Sequence, residues 1–282
     1  MGETLICKNF PEIGKIEYKI AASRGELEQA FELIYKEYVM RGFILPKYYK
    51  SGLRITQSNL IPGTTVFVAL KDGEVVATNA IIPDSPLGLP LDMGYKEEAD
   101  SLRRQNRKIC EGGYLAIKSE MFGRGYFSMF NFKKLEFMFT LFKVMFQYAL
   151  LYAKFDDLCI VTNPQYMIFK FLPFEIIGPV KYYGYDRISI KKKAAVFKRL
   201  NLSRMRKYID QPLKIFGKRF ALYKMFLEER IPQNLFDARY NFTPEDINYF
   251  FIQKSDVLEN LSAKQKGYIK SCYGLNEKDI RV

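Results

Sequence analysis

Apolar positions along this chain recur with two different periods, and the switches between them lay out an α+β order of elements. Leu27, Ala30, Phe31, Ile34, Tyr35 and Tyr38 fall at helical spacing after Ser23-Arg-Gly-Glu26, which has the form of a capping box, and before Gly42, a helix stop. An amphipathic helix to about Arg41 is predicted, preceded by a short strand over 17–21. Residues 66–70 and 74–82 are apolar runs flanking Lys71-Asp-Gly73, whose Asp-Gly signals a hairpin. A polar, helix-prone stretch over 96–104 leads to a strand over 108–117 and a loop over 118–131. Leu135, Met138, Phe139, Phe142, Met145, Phe146, Ala149 and Ala153 then form one stripe, which reads as a long core helix. The nearly all-apolar run 158–162 suits a central strand. Asn163-Pro164 opens a further helix, and 175–178 and 187–191 read as the last strands. Nearer the C-terminus, Thr243-Pro-Glu-Asp246 and Ser262-Ala-Lys264 open two more helices. The chain thus divides into 1–200 and a basic helical extension, 201–282.

One stretch breaks the apolar pattern. Lys108-Ile-Cys-Glu-Gly-Gly-Tyr-Leu-Ala-Ile117 sets a carboxylate and two glycines inside a strand. Glycine there loses entropy and packs nothing, so Gly112-Gly113 predicts a β-bulge or a place where a ligand meets backbone. Glu111 beside it is a candidate base, or else the carboxylate of a buried ion pair.

Composition narrows the function classes. The 282 residues, 48% of them apolar, suffice for one large core. Residues 1–19 lack a signal-peptide apolar region. The greasiest segment, 132–153, carries Lys133, Lys134, Glu136 and Lys143, so it reads as short of the roughly 18 apolar residues of a membrane span. The expected setting is cytoplasmic, free or peripheral at the inner membrane face. Cys7, Cys110, Cys159 and Cys272 form no CxxC pair and the chain has no histidine, which argues against zinc and imidazole chemistry; no metal is expected. Charge is concentrated: 181–230 holds fifteen Lys and Arg against four Asp and Glu, eleven of the net +13. Such a block fits an acidic protein, an anionic membrane surface or nucleic acid, or is a solvated helical face.

Over residues 17–200 the element order and several motifs resemble a known group. Pro62-Gly-Thr-Thr-Val-Phe-Val-Ala69, Gly88-Leu-Pro-Leu-Asp92, Tyr95 with Glu98 and Leu102-Arg103, Cys110-Glu111 through Leu115-Ala116, Asn163-Pro164, and Ile177-Gly178 with Lys181-Tyr182 are similar to the N-acyl-amino-acid (N-acyltyrosine-type) synthase family. Those are GNAT enzymes related to the acyl-homoserine-lactone synthases. The resemblance implies a mixed central sheet, flanked by helices, that splays open to admit a pantetheine thioester. It also implies transfer of a long acyl group from acyl carrier protein to the amine of an amino acid. No bound cofactor is implied, only an acyl-phosphopantetheine cosubstrate, acyl-ACP or acyl-CoA. The family commonly shows histidine shortly after Asn-Pro, where this chain has Tyr166.

The chemistry can be built on these residues. Amine attack on a thioester needs a deprotonated amine, donors for the oxyanion and a proton for the leaving thiolate. Glu111 would take the ammonium proton, backbone N–H groups near Gly112 and Gly113 would face the oxyanion, and Tyr166 either gives the thiolate its proton or merely packs. Gly123, Arg124 and Gly125, ahead of the long helix, are candidates for phosphate, or an exposed turn. Asn163 is placed, by the resemblance, against the pantetheine amides. Lys191-Lys-Lys193, Arg204, Arg206, Lys207, Lys218 and Arg219 offer a surface for an acidic carrier. Two alternatives stay open: a GNAT enzyme that uses acyl-CoA or makes a homoserine-lactone-type signal, and a non-catalytic basic membrane or nucleic-acid binder.

Overall fold

Among the described residues, eight strands join into one sheet: β1 (Ile6–Phe10), β2 (Gly14–Ile20), β3 (Thr65–Lys71), β4 (Glu74–Pro83), β5 (Ile109–Ile117), β6 (Asp157–Thr162), β7 (Glu175–Tyr183) and β8 (Lys193–Asn201). The computed structural model describes residues 6–10, 13–122, 132–165, 172–184, 193–209 and 218–275. The spatial order is β1-β2-β3-β4-β5-β6-β8-β7, antiparallel throughout except for β5 and β6, which run parallel. This is the expected mixed, open sheet.

Helices cover both faces. Helix α1 (Arg24–Met40) starts where predicted: the Ser23 side chain accepts the Glu26 N–H, and the Glu26 carboxylate reaches back to the Ala22 N–H at 2.8 Å. It buries Leu27, Ala30, Phe31, Ile34 and Tyr38 against the sheet on the same face as α2 (Asp92–Arg103). The opposite face carries α3 (Phe132–Gln147), which continues as a π-turn over Tyr148–Tyr152. Residues 134–152 do reach the length and apolarity of a membrane span, contrary to the expectation from their charges. Of this stretch 56% is buried within the protein, where Phe137, Leu141, Val144 and Ala149 pack on the sheet as core.

Two strands are hidden in the sequence by brevity and by charge. The polar-apolar pattern of β1 is only five residues long, and β8 lies inside the basic block. Its Arg199 is accommodated because it pairs with the fully buried Asp157 at 2.7 Å and with Glu175 at 3.6 Å. Arg107, just ahead of β5, also binds Asp157, so one carboxylate ties the start of β5 to β6 and β8 at the base of β6. The expected strand over 187–191 and the body of the helix after Pro164 lie outside the described residues; the last described strand is β8.

Beyond β8 come α4 (Leu202–Ile209), α5 (Lys218–Phe226), α6 (Asn234–Asp237), α7 (Pro244–Asn248) with a π-turn over Tyr249–Gln253, and α8 (Ala263–Tyr273). Thr243 and Ser262 cap α7 and α8 with full capping boxes, in keeping with their spacing. These elements pack on both faces of the sheet. Phe226, Leu227, Leu235 and Phe236 join the α3 side, and Phe250, Phe251, Leu258 and Ile269 the α1 side.

Candidate active site

The parallel pair β5–β6 separates part-way along its length. Their last paired residues are Glu111 and Cys159, although β5 continues to Ile117 and β6 to Thr162. Past that pair the β5–β6 ladder is open, so backbone groups on the two facing edges line a cleft. The cleft leads into a cavity of about 1700 Å³ whose walls come from both faces of the sheet.

A bulge lies beside the opening, one residue later than the glycine pair suggests. Ala80 faces Gly113 and Thr78 faces Ala116, so Tyr114 and Leu115 together oppose Asn79. Tyr114 carries the unusual dihedral, with φ +56°, a left-handed conformation that costs a non-glycine residue roughly 1–2 kcal/mol. Two contacts hold it: its hydroxyl is 2.6 Å from Thr56 Oγ1, and the Arg54 guanidinium stands 5.7 Å from its ring. Gly112 and Gly113 have no such dihedral, and what they supply is space. A Cβ on Gly112 would sit 3.3 Å from Leu158 Cδ1, 3.4 Å from Ile160 Cγ2 and 3.7 Å from Met145 Cε. The pair therefore keeps the neck of the cleft open.

Glu111 is 6% exposed and lines the cavity. Its Oε2 accepts the Leu91 N–H at 2.7 Å, at the start of α2. Three effects compete at this carboxyl. Burial disfavours its charge and dominates, the Leu91 hydrogen bond favours the charge, and nearby Asp92 opposes it, leaving a pKa pushed up to about 8. No cation neutralises it among the ion pairs of the described residues.

The Gly88–Asp92 turn that brings Leu91 to Glu111 is itself braced. Asp92 Oδ2 accepts the Leu89 N–H at 2.8 Å, and a Cβ at Gly88, whose φ is +78°, would lie 2.8 Å from that same oxygen. The Arg103 guanidinium bridges Asp92, Asp84 and Asp100 at 2.6–2.9 Å. The Glu111 carboxyl thus sits on a rigid mount.

The cavity has two chemically different ends. Toward α3 the wall is mostly apolar, with Met138, Phe142, Met145, Phe146, Ile160 and Phe226, and Lys134 of α3 also lines it. Toward α1 it is polar and aromatic. There Arg54, 4% exposed, lies 5.3–5.7 Å from the rings of Tyr38, Tyr49 and Tyr114 and donates to the Tyr49 hydroxyl. Between the ends, Asn79 Oδ1 and Thr162 Oγ1 line the cavity and are buried without a hydrogen-bond partner among the described residues. An orphaned polar atom costs roughly 1–3 kcal/mol, which a ligand bearing amide groups would recover.

Of the residues singled out from sequence, Glu111, Gly112 and Gly113 come together on this wall. Asn163 stands just past β6 but is not part of the wall; its Oδ1 accepts the Gln165 N–H at 2.8 Å, and its neighbour Thr162 lines the cavity instead. Tyr166, Gly123, Arg124 and Gly125 lie outside the described residues, as do Lys191 and Lys192. Part of the basic block is occupied internally: Lys181 pairs with Glu98 at 2.8 Å and Arg206 with Asp156 at 3.1 Å. Arg54, Asn79, Tyr114 and Thr162 carry no sequence signal that marks them for the site. Arg54 sits in a stretch with no periodic pattern, and only the Gly88–Asp92 motif hints at what surrounds Glu111.

No curated protein sequence matches the chain. Among solved structures, FeeM, an N-acyl amino acid synthase from uncultured soil microbes, is 23% identical over 70% of this chain and 94% of its own, with a TM-score of 0.53. The AHL synthase LasI is 16% identical over 77% of this chain and 98% of its own, with a TM-score of 0.48. BjaI, a CoA-dependent acyl-homoserine lactone synthase, is 12% identical over 78% and 98%, also at 0.48. The family model of the N-acyl amino acid synthase FeeM matches residues 29–187, more than half of the chain. The protein therefore belongs to the FeeM N-acyl amino acid synthase family and is an N-acyltransferase.

Proposed function

We propose that this enzyme transfers a long acyl group from the phosphopantetheine thioester of acyl carrier protein to the amine of an amino acid, by direct attack with Glu111 as base. The observation that carries the reading is the position of Glu111: a buried, un-neutralised carboxyl at the point where β5 and β6 part, inside a cavity apolar at one end and polar at the other. The acyl chain fits the α3 end. The pantetheine arm fits the cleft, where its amides would meet Asn79 and Thr162.

Ionised Glu111 takes a proton from the ammonium, and the amine nitrogen then attacks the thioester carbonyl. A carboxylate with a pKa of about 8 is a much stronger base than an ordinary glutamate near 4.3. Negative charge on the carbonyl oxygen is met by backbone N–H groups of β5 at the bulge and cleft. Collapse breaks the C–S bond, and the thiolate takes the second proton that the attacking nitrogen sheds as it becomes the amide, while the proton on Glu111 returns to solvent. No covalent enzyme intermediate is needed.

Arg54 supports a carboxylate-bearing acceptor, because it places a buried cation at the polar end of the same cavity. Arg54→Met is expected to raise the acceptor KM about tenfold to a hundredfold, with a smaller change in the donor KM. Steady-state kinetics with each substrate varied in turn measures the split.

The donor assignment rests on the basic surface of the chain, which suits an acidic carrier. Presenting the same dodecanoyl group on carrier protein and on CoA, with mixed amino acids, and weighing the products by mass spectrometry tests it. Higher kcat/KM with the carrier, lost at high salt, is expected. Equal or better turnover with CoA transfers the activity to the CoA-dependent reading.

A further inference from the structure

We infer that Phe226, which lies outside the family-matched residues, is the stop that sets the acyl-chain length this enzyme accepts. The inference rests on the reading that the acyl chain occupies the α3 end of the cavity. Phe226 is the last residue of α5, is 2% exposed and lines that end. Its ring packs against Phe139 at 5.9 Å and Phe146 at 5.7 Å, centroid to centroid, and so closes the wall that α3 begins.

The backbone behind the ring is fixed by one buried side chain. Gln147, fully buried at the end of α3, donates to the Phe226 carbonyl at 2.7 Å and to the Glu229 carbonyl at 2.7 Å, and its Oε1 accepts the Ile231 N–H at 2.9 Å. Lys143 reaches Glu229 Oε2 at 2.5 Å from the same helix. Backing the 226–231 turn away from α3 would strand an entire buried carboxamide, so the turn cannot yield to a longer chain. Met138 and Met145 elsewhere on the wall are flexible and adjust to the chain's path, whereas Phe226 is held in place. A hydrocarbon chain gains about fourfold in binding for each methylene it buries until it meets a fixed wall. The rigid wall converts that gain into a length limit.

The test uses the full-length protein with Phe226→Leu, Phe226→Ala and Phe226→Trp. Saturated acyl thioesters of carrier protein from octanoyl to octadecanoyl compete in one reaction with mixed amino acids, and the product lengths are read by mass. In parallel, binding of free saturated fatty acids of the same lengths is measured by calorimetry, which needs no turnover. Leucine and alanine are expected to favour chains two carbons longer by about tenfold relative to wild type, and tryptophan to favour shorter ones by a similar factor. Should alanine not fold, the leucine and tryptophan variants carry the comparison. Folded variants that keep the wild-type length profile in both turnover and binding overturn the inference. Failure of the wild type to acylate any acceptor overturns the proposed function instead, and the length stop is then judged on fatty-acid binding alone.

Discussion

Glu111→Gln is expected to lower kcat/KM for amide formation by about a hundredfold to ten-thousandfold and, at the same time, to stabilise the protein above neutral pH. Both effects have one cause. Burial among apolar walls and the nearby Asp92 hold the carboxyl protonated up to a pH of about 8, against the Leu91 N–H that favours the charge. For catalysis, the wild-type kcat/KM is expected to rise with pH and to level off above about 8, where the carboxyl proposed as base is ionised. The glutamine variant has no such limb. For stability, the unfolded chain releases this proton near pH 4.3 while the folded chain keeps it to about 8, so between those values the native state binds more protons and unfolding becomes easier as pH rises. The cost above pH 8 is on the order of 5 kcal/mol. Glutamine keeps an acceptor for the Leu91 N–H and avoids the buried charge. Denaturant unfolding of both proteins should diverge from about pH 5 upward in favour of the variant and converge near pH 4. A variant less stable than wild type at pH 8 would show that Glu111 is held for packing.

Gly112→Val should abolish long-chain transfer, about a hundredfold or more, with little damage to the fold. Gly112 lies within a strand, where valine is at home. Its branches, however, would enter the neck between Leu158, Ile160 and Met145, where even a Cβ stands 3.3–3.7 Å from neighbouring atoms. Overpacking of this kind costs roughly 1–3 kcal/mol of stability. Gly112→Ala is milder, because the Leu158 and Met145 ends are flexible. Melting temperature and turnover measured together separate the two effects. Full activity with long donors in a folded valine variant would move the acyl path away from β5.

The residues of β5 illustrate how much of the site sequence can disclose. Glutamate and glycines inside an apolar strand conflict with local propensity, and that conflict marks this stretch of the cavity wall from sequence alone. Sequence places the bulge one residue early because glycine is the usual sign of an irregular strand, whereas here contacts with Thr56 and Arg54 hold Tyr114 in the left-handed region. Arg54 reaches the cavity by tertiary folding alone, from a segment without periodicity. The helices declare themselves through caps and stripes, as at Ser23, Thr243 and Ser262. Strand β8 does not, since its lysine and arginine read as surface until Asp157 and Glu175 supply partners for Arg199. The contribution of α5 to the cavity wall depends on contacts across 79 residues of sequence, from Gln147 to Phe226, which no local pattern encodes.

The most direct measurement of the central claim follows amide and thiol in the same tube. Wild-type protein is mixed with dodecanoyl-carrier thioester and amino acids, with product mass and free thiol read over time, beside Glu111→Gln. Equal amounts of N-acyl amino acid and thiol in the wild type, with both nearly lost in the variant, are predicted. Thiol released without amide, or undiminished amide formation by Glu111→Gln, would contradict acyl transfer by base-assisted attack at the β5–β6 cleft.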